Sequence, residues 1–234
     1  MNIPVKPHLF TNDDGSGGVS HTQLNDALAE LNRRFSTIGI VFYFSGTSFD
    51  EYADSGFNQG LVTDFDTFAF HQQNAVNNGI NLYVAQTVQV GGDAVGGYTY
   101  LTPMWSDYNR IWVSTGQLNE NKTTPHEFGH YFGLSHTFNN SDSNAVSQRE
   151  LVTRNFAETF PRISANCDDS GDFICDTESD PYNVSEAAAQ CMYDGLETDA
   201  NGDLFHPQTN NIMDYRWCAP HGFTTGQYNR MSTG

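Results

Sequence analysis

The chain has 234 residues and carries 28 acidic against 10 basic side chains, a formal charge of −18. Its 38% hydrophobic and 13% aromatic content can fill a sizeable core. The acidic balance argues against nucleic acid and anionic membrane as partners, because both need basic surface. No apolar run approaches the roughly 20 residues that cross a bilayer. Asp13, Asp14 and the polar residues around them do not read as a signal peptide, so an exported protein would here be in processed form.

Asn2 to Phe10 reads as an opening strand, and Thr11 to Gly18 as a Gly/Asp/Ser loop. Ser20 is a fitting N-cap for a helix through Phe35. On it Leu24, Ala27, Leu28, Leu31 and Phe35 recur at steps of three and four, which makes one apolar face. Ile38 to Phe44 is a strand by its β-branched and aromatic content. A long loop precedes a helix from about Thr63 to Asn77, which Asn78-Gly79 ends. Asn81 to Val90, Gly97 to Leu101 and Arg110 to Thr115 read as strands. This order predicts a mixed sheet with helices packed on it.

Lys122 to Leu134 reads as a helix, with Thr123 or Thr124 as cap and Pro125 in the first turn, where a missing N–H costs nothing. Gly133 can take the left-handed conformation that stops it. From Thr137 to Trp217 the chain is acidic, loop-rich and cysteine-bearing. Thr224 and Gln227 have capping-box spacing and open a short last helix. The predicted class is α+β, with a regular N-terminal lobe (about 1–133) and an irregular C-terminal lobe (about 134–234).

The four cysteines, Cys167, Cys175, Cys191 and Cys218, all lie in the last third. An even number suits two disulfides in an oxidising compartment. A four-thiolate zinc site is the alternative, and the lack of a C-x-x-C pair favours disulfides. Three pairings remain open. The low lysine count, Lys6 and Lys122 alone, also points outside the cell.

The informative segment is His126-Glu127-Phe128-Gly129-His130-Tyr131-Phe132-Gly133-Leu134-Ser135-His136. On a helix His126 and His130 lie one turn apart on one face, and both imidazoles can reach one ion. Glu127 sits where its carboxylate can face a water on that ion. A turn at Gly133 would swing His136 in as third ligand. Three neutral histidines leave a fourth position open, the arrangement of catalytic rather than structural zinc. His8, His21, His71, His206 and His221 have no ligand spacing and read as core or surface residues.

H-E-x-x-H-x-x-G-x-x-H followed by Asn211-Ile212-Met213-Asp214-Tyr215 resembles the metzincin pattern, a zinc motif plus a Met-containing turn. More closely, the chain resembles the pappalysin branch. The matching stretches are Asn2-Ile3-Pro4-Val5, 126–138, 171–177, 211–215 and 223–231. The resemblance implies a secreted zinc metalloendopeptidase, one two-lobed catalytic domain over 1–234, acting on protein or peptide substrates. It implies zinc on His126, His130 and His136, Glu127 as general base and proton donor, and Met213 as an apolar floor under the metal. Tyr215 would stabilise the transition state. The 171–177 stretch resembles a calcium loop, with the Asp172 carboxylate, the Cys175 carbonyl and Thr177 as ligands. Glu178 stands where the family usually has proline. Together with proximity, the resemblance favours pairing Cys167 with Cys175 and Cys191 with Cys218. Arg216 to Pro220 would wall the pocket for the residue after the scissile bond, with Arg216 and Trp217 as substrate contacts and Arg216 favouring an acidic or polar residue. An extended substrate would pair with an edge strand within Gly97 to Leu101. The rival reading is a non-catalytic extracellular binding module stabilised by zinc and calcium.

Overall fold

The computed structural model describes residues 1–46, 48–101, 108–141, 145–182, 191–216, 218–219 and 221–233. The chain divides into two compact units, Met1–Phe132 and Gly133–Gly234.

The first unit is built on β1 (Asn2–Thr11), β2 (Val41–Phe44), β3 (Asp50–Ala53), β4 (Ile80–Ala85), β7 (Gly97–Thr99) and β8 (Arg110–Ser114). The sheet runs β2-β1-β4-β8-β7. On one side β1 pairs first with β2, over Asn2 to Val5, then with β3, over His8 to Thr11. These pairs and those to β4 and β8 are parallel, while β7 closes the edge antiparallel to β8. The sheet is therefore mixed. A separate hairpin pairs β5 (Val88–Val90) with β6 (Asp93–Val95).

Strand alternation separates two faces. On one, His8, Phe10, Tyr83 and Trp112 stack in a row, with ring centroids 4.4 Å apart for His8–Tyr83 and 4.6 Å for Tyr83–Trp112. Phe70 of α3 (Asp64–Asn74) covers Phe10 at 5.2 Å. On the other, α1 (His21–Phe35) buries Leu24, Ala27, Leu31 and Phe35. Phe35 meets Phe42 at 5.2 Å, and Phe42 meets Phe128 of α4 (Thr123–Tyr131) at 5.0 Å. The zinc-motif helix is thus seated on the sheet by its own aromatic residue.

Several boundaries differ from the sequence reading. The second strand begins at Val41, because Gly39 turns left-handed at φ 70° after a 3-10 turn over Ser36–Ile38. The Asn81–Val90 run breaks after Ala85, where the buried Asn58 captures the chain: its Oδ1 accepts from Gln86 N and its carbonyl from Thr87 N. The loop before Thr63 contains β3 and the short helix α2 (Ser55–Asn58). Helix α4 has Lys122 at its N-cap and no side-chain cap. The Thr123 and Thr124 hydroxyls instead donate back to Gln117 Oε1 and the Leu118 carbonyl.

Among the described residues of the second unit, regular structure is limited to a 3-10 turn (Val146–Gln148), two isolated bridges and α5 (Thr225–Thr233). Its disulfides join Cys167 to Cys175 and Cys191 to Cys218. The α5 N-terminus has its reciprocal Thr224–Gln227 bonds, and the Asp176 carboxylate accepts from Thr224 Oγ1 and Gly226 N. Asn211 and Gln227 exchange side-chain amide bonds at 3.0 and 3.2 Å, tying α5 to the start of the Met-bearing turn. Among the described residues no helix is long and apolar enough to cross a membrane.

Candidate active site

Helix α4 presents His126 and His130 one turn apart, their rings edge to face with centroids 4.6 Å apart. Gly133 takes φ 85° just beyond the helix end, a conformation costly for any residue with a Cβ. Three residues later comes His136, and one nitrogen from each of His126, His130 and His136 lies within 4.8 Å of the other two. All three belong to one eleven-residue stretch, so the cluster is a local construction of helix plus turn. Two nitrogens about 2.0–2.1 Å from a tetrahedral zinc stand about 3.3 Å apart. The 3.0 Å between the Nε2 atoms of His126 and His130 suits such sharing. A neutral-imidazole donor set of three fits a catalytic zinc.

Glu127 is buried, and burial pushes its carboxyl up to about 8. Its side chain points at the sheet edge. A Cβ built on Gly97 of β7 would stand 2.9 Å from Glu127 Cγ and 3.1 Å from its Oε1. The carboxylate therefore lies beside β7, the last strand of the sheet among the described residues.

Within the second unit, the turn over Asn211 to Tyr215 lies beside the segment that carries His136. Met213 is fully buried, and its carbonyl accepts from Thr137 N at 3.2 Å. The Tyr215 ring meets His136 edge-on at 4.7 Å, and Phe138 stacks on His136 at the same distance. Tyr215 is 45% exposed.

Arg216 lies inside the second unit. It is 2% exposed, and its guanidinium binds Asp180 through two bonds of 2.8 and 2.9 Å. Its charge is neutralised inside the unit by that pair. Trp217 lies outside the described residues.

Among the described residues, the loop over Gly171 to Thr177 holds buried oxygens with no hydrogen-bond partner: Asp172 Oδ2 and Thr177 Oγ1. Both carboxylate oxygens of Glu150 share that condition, with Arg154 Nη2 as an ion-pair neighbour 2.9 Å from Oε1. Burial pushes the Glu150 carboxyl up to about 9 and that of Asp172 to about 7. The Glu150 carboxylate sits against Gly171, where a Cβ would meet its Oε2 at 2.0 Å. The Cys175 carbonyl accepts from Arg154 Nε at 3.0 Å. Sequence reasoning missed Glu150, which lies 21 positions before Gly171 with no motif around it.

Residues 81–234 match the profile of peptidase family M43, described as pregnancy-associated plasma protein-A. The chain belongs to this family. Residues 21–137 also match the reprolysin-like profile of metallopeptidase family M12B. An extracellular metalloprotease of Sordaria macrospora is 26% identical over 254 aligned positions, covering all of this chain and 74% of that protein. One of Neurospora crassa is 25% identical with the same coverage. Among solved structures, that of myroilysin is 14% identical, with a TM-score of 0.39 over all of this chain and 91% of its own. This M43 member is a zinc metalloendopeptidase, and its substrates are peptides or proteins.

Proposed function

We propose that the chain is a secreted endopeptidase whose zinc is held by His126, His130 and His136, with Glu127 as general base and then proton donor. The observation that carries this reading is the convergence of three imidazole nitrogens within 4.8 Å beside a buried carboxylate. When bound, zinc polarises the scissile carbonyl and acidifies the attacking water. Glu127 takes that water's proton on its carboxylate and passes it to the leaving amine. The carboxyl holds the proton between the two transfers. Tyr215, partly exposed beside His136, donates a hydrogen bond from its phenol to the developing oxyanion. Met213 gives the His136 segment an apolar support, together with the main-chain bond to Thr137. An extended substrate adds to the open edge of β7, so that its scissile bond passes Glu127.

The same reading gives the second unit a calcium ion. Glu150, Asp172 and Thr177 supply hard oxygen ligands without other hydrogen-bond partners, the donor type calcium selects. An opposing cation also accounts for two carboxylates buried so deeply.

Glu127→Gln is the test. Zinc content measured by metal analysis should stay at one per chain, while kcat on a peptide substrate falls by about a thousandfold or more. Near-normal turnover in the zinc-loaded variant would remove Glu127 from the mechanism. Full zinc binding by wild type with no cleavage across a proteome-derived peptide library would instead favour the binding-module reading.

A further inference from the structure

Of the three imidazoles, two ride on helix α4. His136 comes after the helix has ended, so something else must hold it. We propose that Asp180 is the positioning residue of the metal site, through a buried clasp that fixes Thr137 and hence the neighbouring His136. This inference rests on the zinc site proposed above.

Asp180 is 1% exposed and accepts four hydrogen bonds. Its Oδ2 accepts from Thr137 Oγ1 at 2.8 Å and from Arg216 Nη1 at 2.8 Å. Its Oδ1 accepts from Arg216 Nη2 at 2.9 Å and from Tyr182 N at 3.0 Å. One carboxylate thus joins three separate pieces of chain: the residue after the third imidazole, the end of the Met-bearing turn, and the segment leading to Tyr182. Each piece is tied back to the site by a second contact. Thr137 N donates to the Met213 carbonyl. Arg216 N donates to Asp214 Oδ1 at 2.9 Å, next to Tyr215. The Tyr182 ring packs on Phe138 at 4.3 Å, and Phe138 stacks on His136.

The chemistry suits a positioning role. A bidentate guanidinium–carboxylate pair is planar and directional, so it sets an angle as well as a distance. Held in a dry interior, it does not exchange partners with water. Thr137 is clamped through both main chain and side chain, which leaves the backbone beside His136 little freedom to rotate. The clasp touches neither substrate nor reacting atoms. It acts only through His136 and the placement of Tyr215.

The test uses two constructions with different risks. Thr137→Val deletes the hydroxyl donor and keeps the shape. The double change Asp180→Leu with Arg216→Met removes both charges together, so that neither is left buried alone. For each, zinc affinity is measured by competition with a chelator, the cobalt-substituted protein is examined by visible absorption, and the metal-free protein is melted. The inference expects Thr137→Val to weaken zinc binding about tenfold, the scale of lost support to a metal ligand. The cobalt bands should shift, kcat should fall with KM nearly unchanged, and the metal-free melting temperature should hardly move. The double variant should weaken zinc binding further. Wild-type affinity and cobalt spectrum in both variants would overturn the inference while leaving the zinc site intact. Affinity losses that merely track lower metal-free melting temperatures would also overturn it, as a general structural effect. Failure of the wild type itself to bind zinc would bring down the underlying reading as well.

Discussion

The two units solve the problem of holding functional groups by different physics. In the first, the frame comes from repeated main-chain pairing: four parallel neighbours and one antiparallel edge, with α1 and α3 covering opposite faces. The side chains that matter there ride on elements whose positions are collectively fixed. In the second, few elements exist among the described residues, and the chain is held by individual links. Two disulfides, the Asp180–Arg216 pair and the Asn211–Gln227 amide exchange each fix one place. Arg154 alone binds the carbonyls of Leu151, Cys175 and Thr177. A ladder loses little when one rung goes, whereas a frame of single ties depends on each.

The largest expected effect follows from that contrast. The disulfides close spans of 8 and 27 residues. Chain entropy assigns such loops about 2.5 and 3.5 kcal/mol, so reduction should remove up to about 6 kcal/mol from the second unit. Hydrogen exchange with and without reductant can localise the loss. Amides around Cys167 and the Met-bearing turn should open, while those of β4 and β8 keep their protection. Equal loss of protection in β4 and β8 would show that the distinction between ladder and ties is wrong.

Proton linkage sharpens the comparison, because the two units should respond to pH with opposite sign. In the second unit, Glu150 moves from an ordinary 4.5 to about 9 and Asp172 from 3.8 to about 7, both by burial. Between those limits the folded unit keeps protons that the unfolded chain has released, so without a cation its stability falls as pH rises. Calcium should cancel this fall and expel protons as it binds, which calorimetry in buffers of different ionisation enthalpy can measure. In the first unit, burial lowers His8 from 6.5 to about 4. There the unfolded chain holds the extra proton, so stability falls as pH drops from 6.5 toward 4, by up to about 3 kcal/mol. Metal-free protein should show this acid loss, and His8→Gln should flatten it. If both units weakened in the same direction under chelator, the burial account of these groups would fail.

Legibility in the sequence follows the same division. Helix α1 announced itself through Leu24, Ala27, Leu31 and Phe35 and through the Ser20 cap, because a helix repeats its pattern every turn. The spacing of His126, His130 and His136 was readable for the same reason, plus one glycine with a known conformational use. Strand β3 was not readable: it spans four residues, none of them buried, over Asp50–Ala53, and its existence depends on a register with β1. Glu150 and Asp180 left no local trace either. Asp180 meets Thr137 and Arg216, and Glu150 meets Gly171, all distant along the chain, and pairwise complementarity has no period to detect. The pairing of Arg216 is hidden for the same reason, since its carboxylate partner is 36 positions away.

The smallest predicted effect probes a place where the regular unit behaves like the irregular one. Gly97 lies in a strand, where alanine is normally acceptable, yet its missing Cβ is what lets Glu127 stand against the sheet edge. An added methyl would meet the Trp112 carbonyl at 2.8 Å and Glu127 Cγ at 2.9 Å. Gly97→Ala should therefore cost about 1 kcal/mol of stability by overpacking and lower kcat about tenfold, or 1.4 kcal/mol at the transition state, with KM little changed. Gly96→Ala is the control, since its Cβ would crowd Thr123 Cγ2 at 3.3 Å and not the glutamate. It should share the stability loss and keep its kcat. Equal kcat in the two variants would mean that Glu127 tolerates displacement at the strand edge. The single-contact logic of the second unit would then stop short of the Glu127 carboxylate.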